Sequence, residues 1–315
     1  MSVGILLSTY NGEKYIINQL DSIKAQDYID YNLYIADDCS TDNTFHTIEK
    51  YIKDNNLTNW FLSKNECNLG WKKSFMTLID RCQEDYIFLC DQDDYWLSDK
   101  ISVMMKIMES NEEIDLLCSQ YLEFYNDYEI GQCRKEKTDY NVRRIENNRN
   151  MLKIDYPGCT YCFRRSISKQ AIALWKEYLP HDAALWISAF LNHKLFVLDH
   201  PLIYWRQHKE SVYGGNRVRS TTGERHQFIK QYLDFFMGLA EVLNKQTNSN
   251  KSNEKRNKRL IKRYIKWLKY RYKFVIEHRY SYLFRLMKNF DLYPTAQNLA
   301  GDIIDSLKRK KIAGE

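Results

Sequence analysis

Apolar runs and amphipathic stretches alternate along roughly the first hundred residues. Residues 3–7 (VGILL) are a short β-prone run leading to the turn formers Asn11 and Gly12. Residues 13–25 then place Tyr15, Ile16, Leu20 and Ile23 on one helical stripe. The alternation continues with a strand at 33–36, a helix at 44–51 that Thr41 or Asp42 can cap, a strand at 61–63 and a helix at 69–82. Residues 86–90 (YIFLC) are continuously apolar, as expected of a strand buried on both faces, and run straight into Asp91-Gln92-Asp93-Asp94. The following helix, 98–108, has Ser98 at its cap and Asp99 in its first turn. This order predicts an α/β fold whose mostly parallel sheet is wrapped by right-handed crossovers. Ligands of such sheets sit beyond the carboxyl ends of the strands, where the polar clusters 8–13, 37–42 and 91–94 all fall.

The second half is less regular. A strand is expected at 116–124, a polar stretch at 126–150 and a strand at 159–164. Helices are expected at 168–178 and 183–192, then a strand pair within 195–205 and an amphipathic helix at 225–243 that closes the body. Residues 246–257 (QTNSNKSNEKRN) read as a solvated linker, and 260–287 as a basic, aromatic helix. Three parts result: 1–115, 116–245 and 246–315.

Composition narrows the class. With 315 residues, 44% hydrophobic and 28% charged, the chain can bury a core. No stretch approaches the roughly 20 apolar residues of a membrane span, and no basic region precedes the first apolar run. The expected location is cytoplasmic, with peripheral attachment to the inner face of the cell membrane as an option for the tail. The net charge of +6 is divided unevenly: residues 1–240 sum to −6 and residues 241–315 to +12. Of the eight cysteines only Cys159 and Cys162 have metal-like spacing, with no second pair at zinc-finger distance, so buried free thiols are expected.

An Asp-x-Asp-Asp at the end of a buried strand suits a hard divalent ion that neutralises a diphosphate. An isolated acidic turn is usually only solvated, but here two other polar clusters reach the same sheet edge. No GxGxxG and no GxxxxGK[ST] is present to support other nucleotide chemistry.

Ser8-Thr9-Tyr10-Asn11-Gly12-Glu13, Asp37 to Asp42, Asn68-Leu69-Gly70 and Asp91-Gln92-Asp93-Asp94 resemble, in order and spacing, the motifs of family 2 glycosyltransferases. Pro157-Gly158-Cys159-Thr160, His181-Asp182 and Trp205-Arg206-Gln207-His208 resemble its bacterial rhamnosyltransferase-like branch. The resemblance covers about residues 1–215. It implies a GT-A fold, Rossmann-like, with a nucleotide-sugar-binding half at 1–115 and an acceptor-binding half at 116–245. It also implies a UDP- or dTDP-sugar donor, Mn2+ or Mg2+, and inversion at the anomeric carbon during cell-surface polysaccharide synthesis. The acceptor it implies is a glycan or lipid-linked saccharide.

Carried over residue by residue, the resemblance places Ser8, Thr9 and Tyr10 at the nucleoside, Asp38 at the pyrimidine ring and Asp91 at the ribose or donor sugar. Glu13, Asn68 and Gln92 join the donor site, and Asp93 or Asp94 holds the metal. Lys72, Lys73 and Arg206 are candidates for the diphosphate, and His208 for a further metal ligand or a diphosphate contact. Asp182 is the candidate base, with an N-cap as its competing role, and His181 either assists it or lines the acceptor pocket. Gly158 is expected where the chain approaches a sugar too closely for a side chain.

In the tail, Leu260, Ile261, Tyr264, Ile265, Trp267 and Leu268 form one broad apolar helical face among lysines and arginines. That combination predicts contact with an anionic membrane surface, against packing on the body or within a homo-oligomer. Nucleic acid is not expected, because no recognised module frames the basic run. Two other functions compete: a catalytically inactive sugar-nucleotide or membrane-binding module, and a sugar-1-phosphate nucleotidyltransferase. The second requires a Gly-rich basic loop after the first strand, and Ser8 to Glu13 is not one.

Overall fold

The computed structural model describes residues 1–130, 140–146, 150–208, 221–245 and 251–308. Its first unit comprises the described residues of Met1–Glu146 and Ile154–Gly215. The expected alternation is present, with β1 (Val3–Thr9), α1 (Ile16–Lys24), β2 (Asn32–Asp37), α2 (Thr44–Asp54), β3 (Trp60–Lys64) and α3 (Trp71–Arg81). Then come β4 (Tyr86–Cys90), a short β5 (Tyr95–Trp96), α4 (Lys100–Glu109), β6 (Leu116–Phe124), β7 (Val142–Arg144) and β8 (Tyr161–Arg164). The unit ends with α5 (Ser168–Leu174), α6 (His181–Leu191) and β9 (Leu195–Arg206).

The sheet order is β3-β2-β1-β4-β8-β6-β9-β5, with β7 added on β9. Strands β3, β2, β1 and β4 are mutually parallel, while β8 runs antiparallel to both β4 and β6. Every residue of β1 and of β4 is buried, as the apolar runs at 3–7 and 86–90 require of strands covered on both faces. Ile5, Leu7, Phe88, Trp96, Ile101 and Met104 belong to the core beneath them.

Several local expectations change. The strand pair within 195–205 is a single strand, β9, whose register against β6 slips at Ser119/Gln120 and Gln120/Leu122. Asn43 occupies the cap position of α2, yet Asp42 supplies the bond, its Oδ1 accepting the Thr44 N–H at 3.0 Å. Helix α4 starts two residues later than expected, after Asp99, and its first residue, Lys100, is fully buried. Cys159 and Cys162 are buried free thiols.

The second unit comprises the described residues of Asn147–Lys153 and Asn216–Glu315. It holds α7 (Thr222–Lys245), α8 (Lys251–Arg271), α9 (Leu283–Met287) and α10 (Ala296–Lys308), with a π turn at Tyr272–Ile276. Helix α7, expected to close the body, belongs instead with the C-terminal helices. The expected linker 246–257 is helical from Lys251 onward, and 246–250 lie outside the described residues.

The apolar face read as a membrane-insertion surface is largely internal. Ile261, Tyr264, Trp267 and Leu268 are 0% exposed. Tyr264 stacks on Phe236 and Trp267 meets Tyr293 edge-on, so these rings form this unit's own core. Deeper still, Asp302 accepts two hydrogen bonds from Arg271, at 2.7 and 2.9 Å, and one from the Tyr293 hydroxyl. Asp305 accepts one from Arg225 at 2.6 Å.

Candidate active site

The carboxyl ends of β1, β2 and β4 open into one cavity of about 420 Å³ within the first unit. Ser8, Thr9 and Tyr10 line it from the end of β1, Asp38 from just past β2, and Asp91, Gln92 and Asp93 from just past β4. Asn68, His181, Asp182 and Arg206 complete the sequence-predicted set that converges here. Parallel strands bring these segments together because every crossover returns the chain to start in the same direction.

Some of these groups already have fixed tasks. The Asp38 carboxylate accepts the backbone N–H groups of Leu69 and Gly70, each at 2.8 Å, and so pins the Asn68-Leu69-Gly70 turn. Gln92 accepts the Thr9 hydroxyl at 2.6 Å and the Tyr10 N–H at 2.9 Å, clamping the end of β1. Arg206 is buried and donates to the Asp93 carbonyl and the Asp127 carboxylate, each at 2.6 Å. Its guanidinium lies between the Tyr15 and Phe124 rings. Arg206 thus holds the acidic turn in place, in contrast to the open phosphate fork expected of it.

Other expected residues lie off the cavity. Glu13 is exposed and binds the side chain of Asn43 at 2.9 Å. Lys72 donates to the Tyr178 carbonyl at 3.2 Å, and Lys73 is exposed on α3. Asp94 is 0% exposed and accepts the Arg206 backbone N–H at 3.0 Å, which ties the acidic turn to β9. His208 faces Asp93, with Nε2 2.7 Å from Oδ2, and both side chains keep nearly a fifth of their surface exposed.

The electrostatics of this cavity are unusual in their direction. Burial first, then the neighbouring Asp93 and Asp182, pushes Asp91 up to about 7. Burial likewise raises Asp94 well above the usual carboxylate range. Asp182 is pushed up to about 6 by burial, against the pull of backbone N–H groups and of Lys72. It sits one residue inside α6, where its Oδ1 accepts the Ala183 N–H at 2.7 Å, so it is not the helix cap. Burial lowers His181 to about 3 and keeps its imidazole neutral. The ring stacks on Phe75 at 4.2 Å and meets Trp71 edge-on at 5.5 Å, making His181 an aromatic wall.

Gly158 lines the cavity, as expected, and its bareness also has a packing reason. A Cβ there would lie 3.1 Å from the His181 Nε2 and 3.2 Å from the Asp182 Cβ. Its bareness lets the 157–160 segment press against the start of α6. Trp71, Phe75, Pro157 and Trp205 also line the cavity; Pro157 and Trp205 stand in quoted motifs without an assigned role, and Trp71 and Phe75 were missed. Trp71 and Phe75 stand four apart on α3, a spacing that the preceding polar turn could have flagged as a site-facing stripe.

Among the described residues, two places could hold a cation. Ligand atoms of Asp91, Asp94 and Cys159 lie within 4.8 Å of one another. The Cys159 thiol is pushed well up by burial, and the Lys100 ammonium, which donates to the Cys159 carbonyl, already places a positive charge there. Asp93 and His208 suit a divalent ion better, because they set a hard oxygen and an imidazole nitrogen 2.7 Å apart on side chains that are only partly buried.

The sequence model of "Glycosyl transferase family 2" matches residues 4–171, more than half of the chain. The chain belongs to glycosyltransferase family 2. It is therefore a glycosyltransferase, and its sheet is that of the GT-A fold. It is 27% identical over 231 residues to the dTDP-rhamnosyl transferase RfbG of Shigella flexneri, covering 67% of this chain and 74% of that one. Among solved structures it resembles S. aureus TarS 1-349 in complex with UDP-GlcNAc, with a TM-score of 0.63 and 16% identity. That match covers 99% of this chain and 92% of the other. The mannosyltransferase PcManGT of Pyrobaculum calidifontis, in complex with GDP-Man and Mn2+, matches with a TM-score of 0.53 and 12% identity, covering 99% and 88%. Among the described residues no helix is long and apolar enough to cross a membrane.

Proposed function

We propose that this family 2 glycosyltransferase moves a sugar, with inversion, from a pyrimidine nucleoside-diphosphate donor to a glycan or lipid-linked acceptor of a cell-surface polysaccharide. One observation carries the reading: the ends of three parallel strands and the raised carboxyl of Asp182 share a single cavity. Ser8, Thr9, Tyr10 and Asp38 bind the nucleoside, and Asp91 meets the ribose or donor sugar. Asp93 and His208 would hold Mn2+ or Mg2+, which when bound supplies charge neutralisation for the diphosphate. A cation fits because, among the described residues, the cavity lining sets Asp38, Asp91, Asp93 and Asp182 against Arg206, whose guanidinium is already engaged.

Asp182 acts as the base. The acceptor oxygen forms a bond to the anomeric carbon as the bond to the diphosphate breaks on the opposite face, and the hydroxyl proton passes to Asp182. A carboxyl with a pKa of about 6 is largely ionised at neutral pH yet basic enough to accept that proton. Neutral His181 with Phe75 and Trp71 supplies an apolar wall that keeps water from competing.

Calorimetric titration of UDP and of dTDP, in Mn2+ and in EDTA, tests the donor and metal parts together. At least one nucleotide should bind about tenfold or more tightly with Mn2+. Equal affinity in both conditions, or none in either, defeats the proposal.

A further inference from the structure

Helix α8 carries Lys255, Arg259, Lys262, Lys266 and Lys269 at alternating spacings of four and three residues, and all five are exposed. This is one continuous basic stripe, about 21 Å long at the rise of an α-helix. The opposite side of the same helix supplies Ile261, Tyr264, Trp267 and Leu268 to the core. The stripe is therefore fixed outward by packing.

The described acids that follow Lys251 are already paired elsewhere, and those of α7 are three: Glu224, Asp234 and Glu241. Among the described residues after Lys251, Glu254 pairs with Lys258, Glu277 with Arg279 and Asp291 with Arg263. Asp302 and Asp305 pair with Arg271 and Arg225. The stripe residues take part in none of these pairs, and all five are exposed.

Beside the stripe is an apolar edge. Phe284 is 64% exposed, Met287 59% and Phe290 46%, and the first two lie three apart on α9. Arg285 lies 5.4 Å from the Tyr270 ring, and Lys266 of the stripe lies 5.9 Å from the same ring, so edge and stripe adjoin. Lys288 folds over Phe284 at 4.6 Å, which puts a cation directly at the apolar tip.

We propose that this face docks on an anionic lipid bilayer, with the lysine stripe on the headgroups and Phe284, Met287 and Phe290 inserted at the acyl boundary. Charge alone would serve any polyanion, but large apolar side chains set among cations specifically fit an interface that is charged outside and apolar within. The inserting residues differ from those read off the sequence, since that face is core. The proposal stands apart from the donor chemistry, because it uses no residue of the catalytic cavity.

The test uses the full chain and sedimentation with phosphatidylcholine vesicles, either pure or containing phosphatidylglycerol. The protein should sediment with the anionic vesicles at low salt and be released as salt is added, because surface potential is screened within about 8–10 Å. Lys262→Glu/Lys266→Glu/Lys269→Glu should weaken binding at least about 100-fold. Phe284→Ala/Met287→Ala should weaken it about tenfold while keeping the same salt dependence. All substituted residues are exposed, so thermal unfolding and donor binding should match the parent. Equal binding to pure phosphatidylcholine, or no binding at low salt, overturns the proposal. So does a stripe that binds RNA with no response to Phe284→Ala/Met287→Ala, or an apolar edge whose loss only breaks a dimer seen by light scattering.

Discussion

Both units of the chain bury aspartates, and they compensate them in different ways. In the helical unit Asp302 and Asp305 each meet a buried guanidinium, that of Arg271 or Arg225, at 2.7 and 2.6 Å. In the sheet unit Asp91, Asp94 and Asp182 cluster around the end of β4, and burial drives all three carboxyls up. The buried cation closest to them in chemistry, Lys100, donates to the Cys159 carbonyl and is itself lowered to about 8 by burial. Carboxylates matched one for one by arginines are a packing device, held by geometry and hydrogen bonds. Carboxylates left short of positive charge are poised for a proton or a cation that arrives with the substrate.

If the distinction is real, the two sets respond oppositely to mutation. Asp302→Ala leaves Arg271 buried without its partner, and the full protein should lose roughly 3–5 kcal/mol in urea unfolding. A loss below about 1 kcal/mol would remove the pairing from the stabilising contacts of that unit.

Asp182→Asn should lower turnover about 100-fold or more while leaving donor binding intact, since the amide keeps the shape but cannot take the proton. Its stability should move the other way. The folded pKa of about 6 lies above the ordinary 3.8, so the charged side chain disfavours folding at alkaline pH. That penalty shrinks as pH falls through about 6 and is gone below about 4. The variant should therefore be as stable as the parent at pH 8, or more stable by up to roughly 3 kcal/mol, with no difference near pH 4. Near-native turnover would leave Asp182 with only its backbone contacts at the start of α6.

The smallest effect is a shift. The acid limb of kcat/KM should fall near pH 6 as Asp182 becomes protonated. Lys72 holds that pKa down, so Lys72→Met should move the limb to higher pH and cost less than about threefold at neutral pH. An unmoved limb would assign it to a different carboxyl.

Much of this was legible along the chain. Residues 86–90 announced a strand covered on both faces because every position is apolar, and a strand alternating with helices permits few topologies. The clusters at 8–13, 37–42 and 91–94 followed, since each stands where a parallel strand ends. Roles within the clusters were harder to read. Asp93 and Asp94 are adjacent and identical in type, yet one faces His208 beside the cavity while the other is buried under Arg206.

The tail shows the same limit from another side. The spacing of Ile261, Tyr264, Trp267 and Leu268 specified a helix with one apolar face, and the lysines specified its charge. Periodicity reports which residues avoid water but not what covers them. Phe236 and Tyr293, 28 residues before and 29 after Tyr264, decide that this face is core. The same holds at the site. The order and spacing of the motifs carried the resemblance to the family, and the end of a buried strand singled out the acids of the β4 turn. Only tertiary packing could make Gly158 an opening for α6, turn His181 into a neutral wall and raise Asp182 to about 6. Desolvation depends on every atom that surrounds a group, and those atoms come from segments distant in the chain.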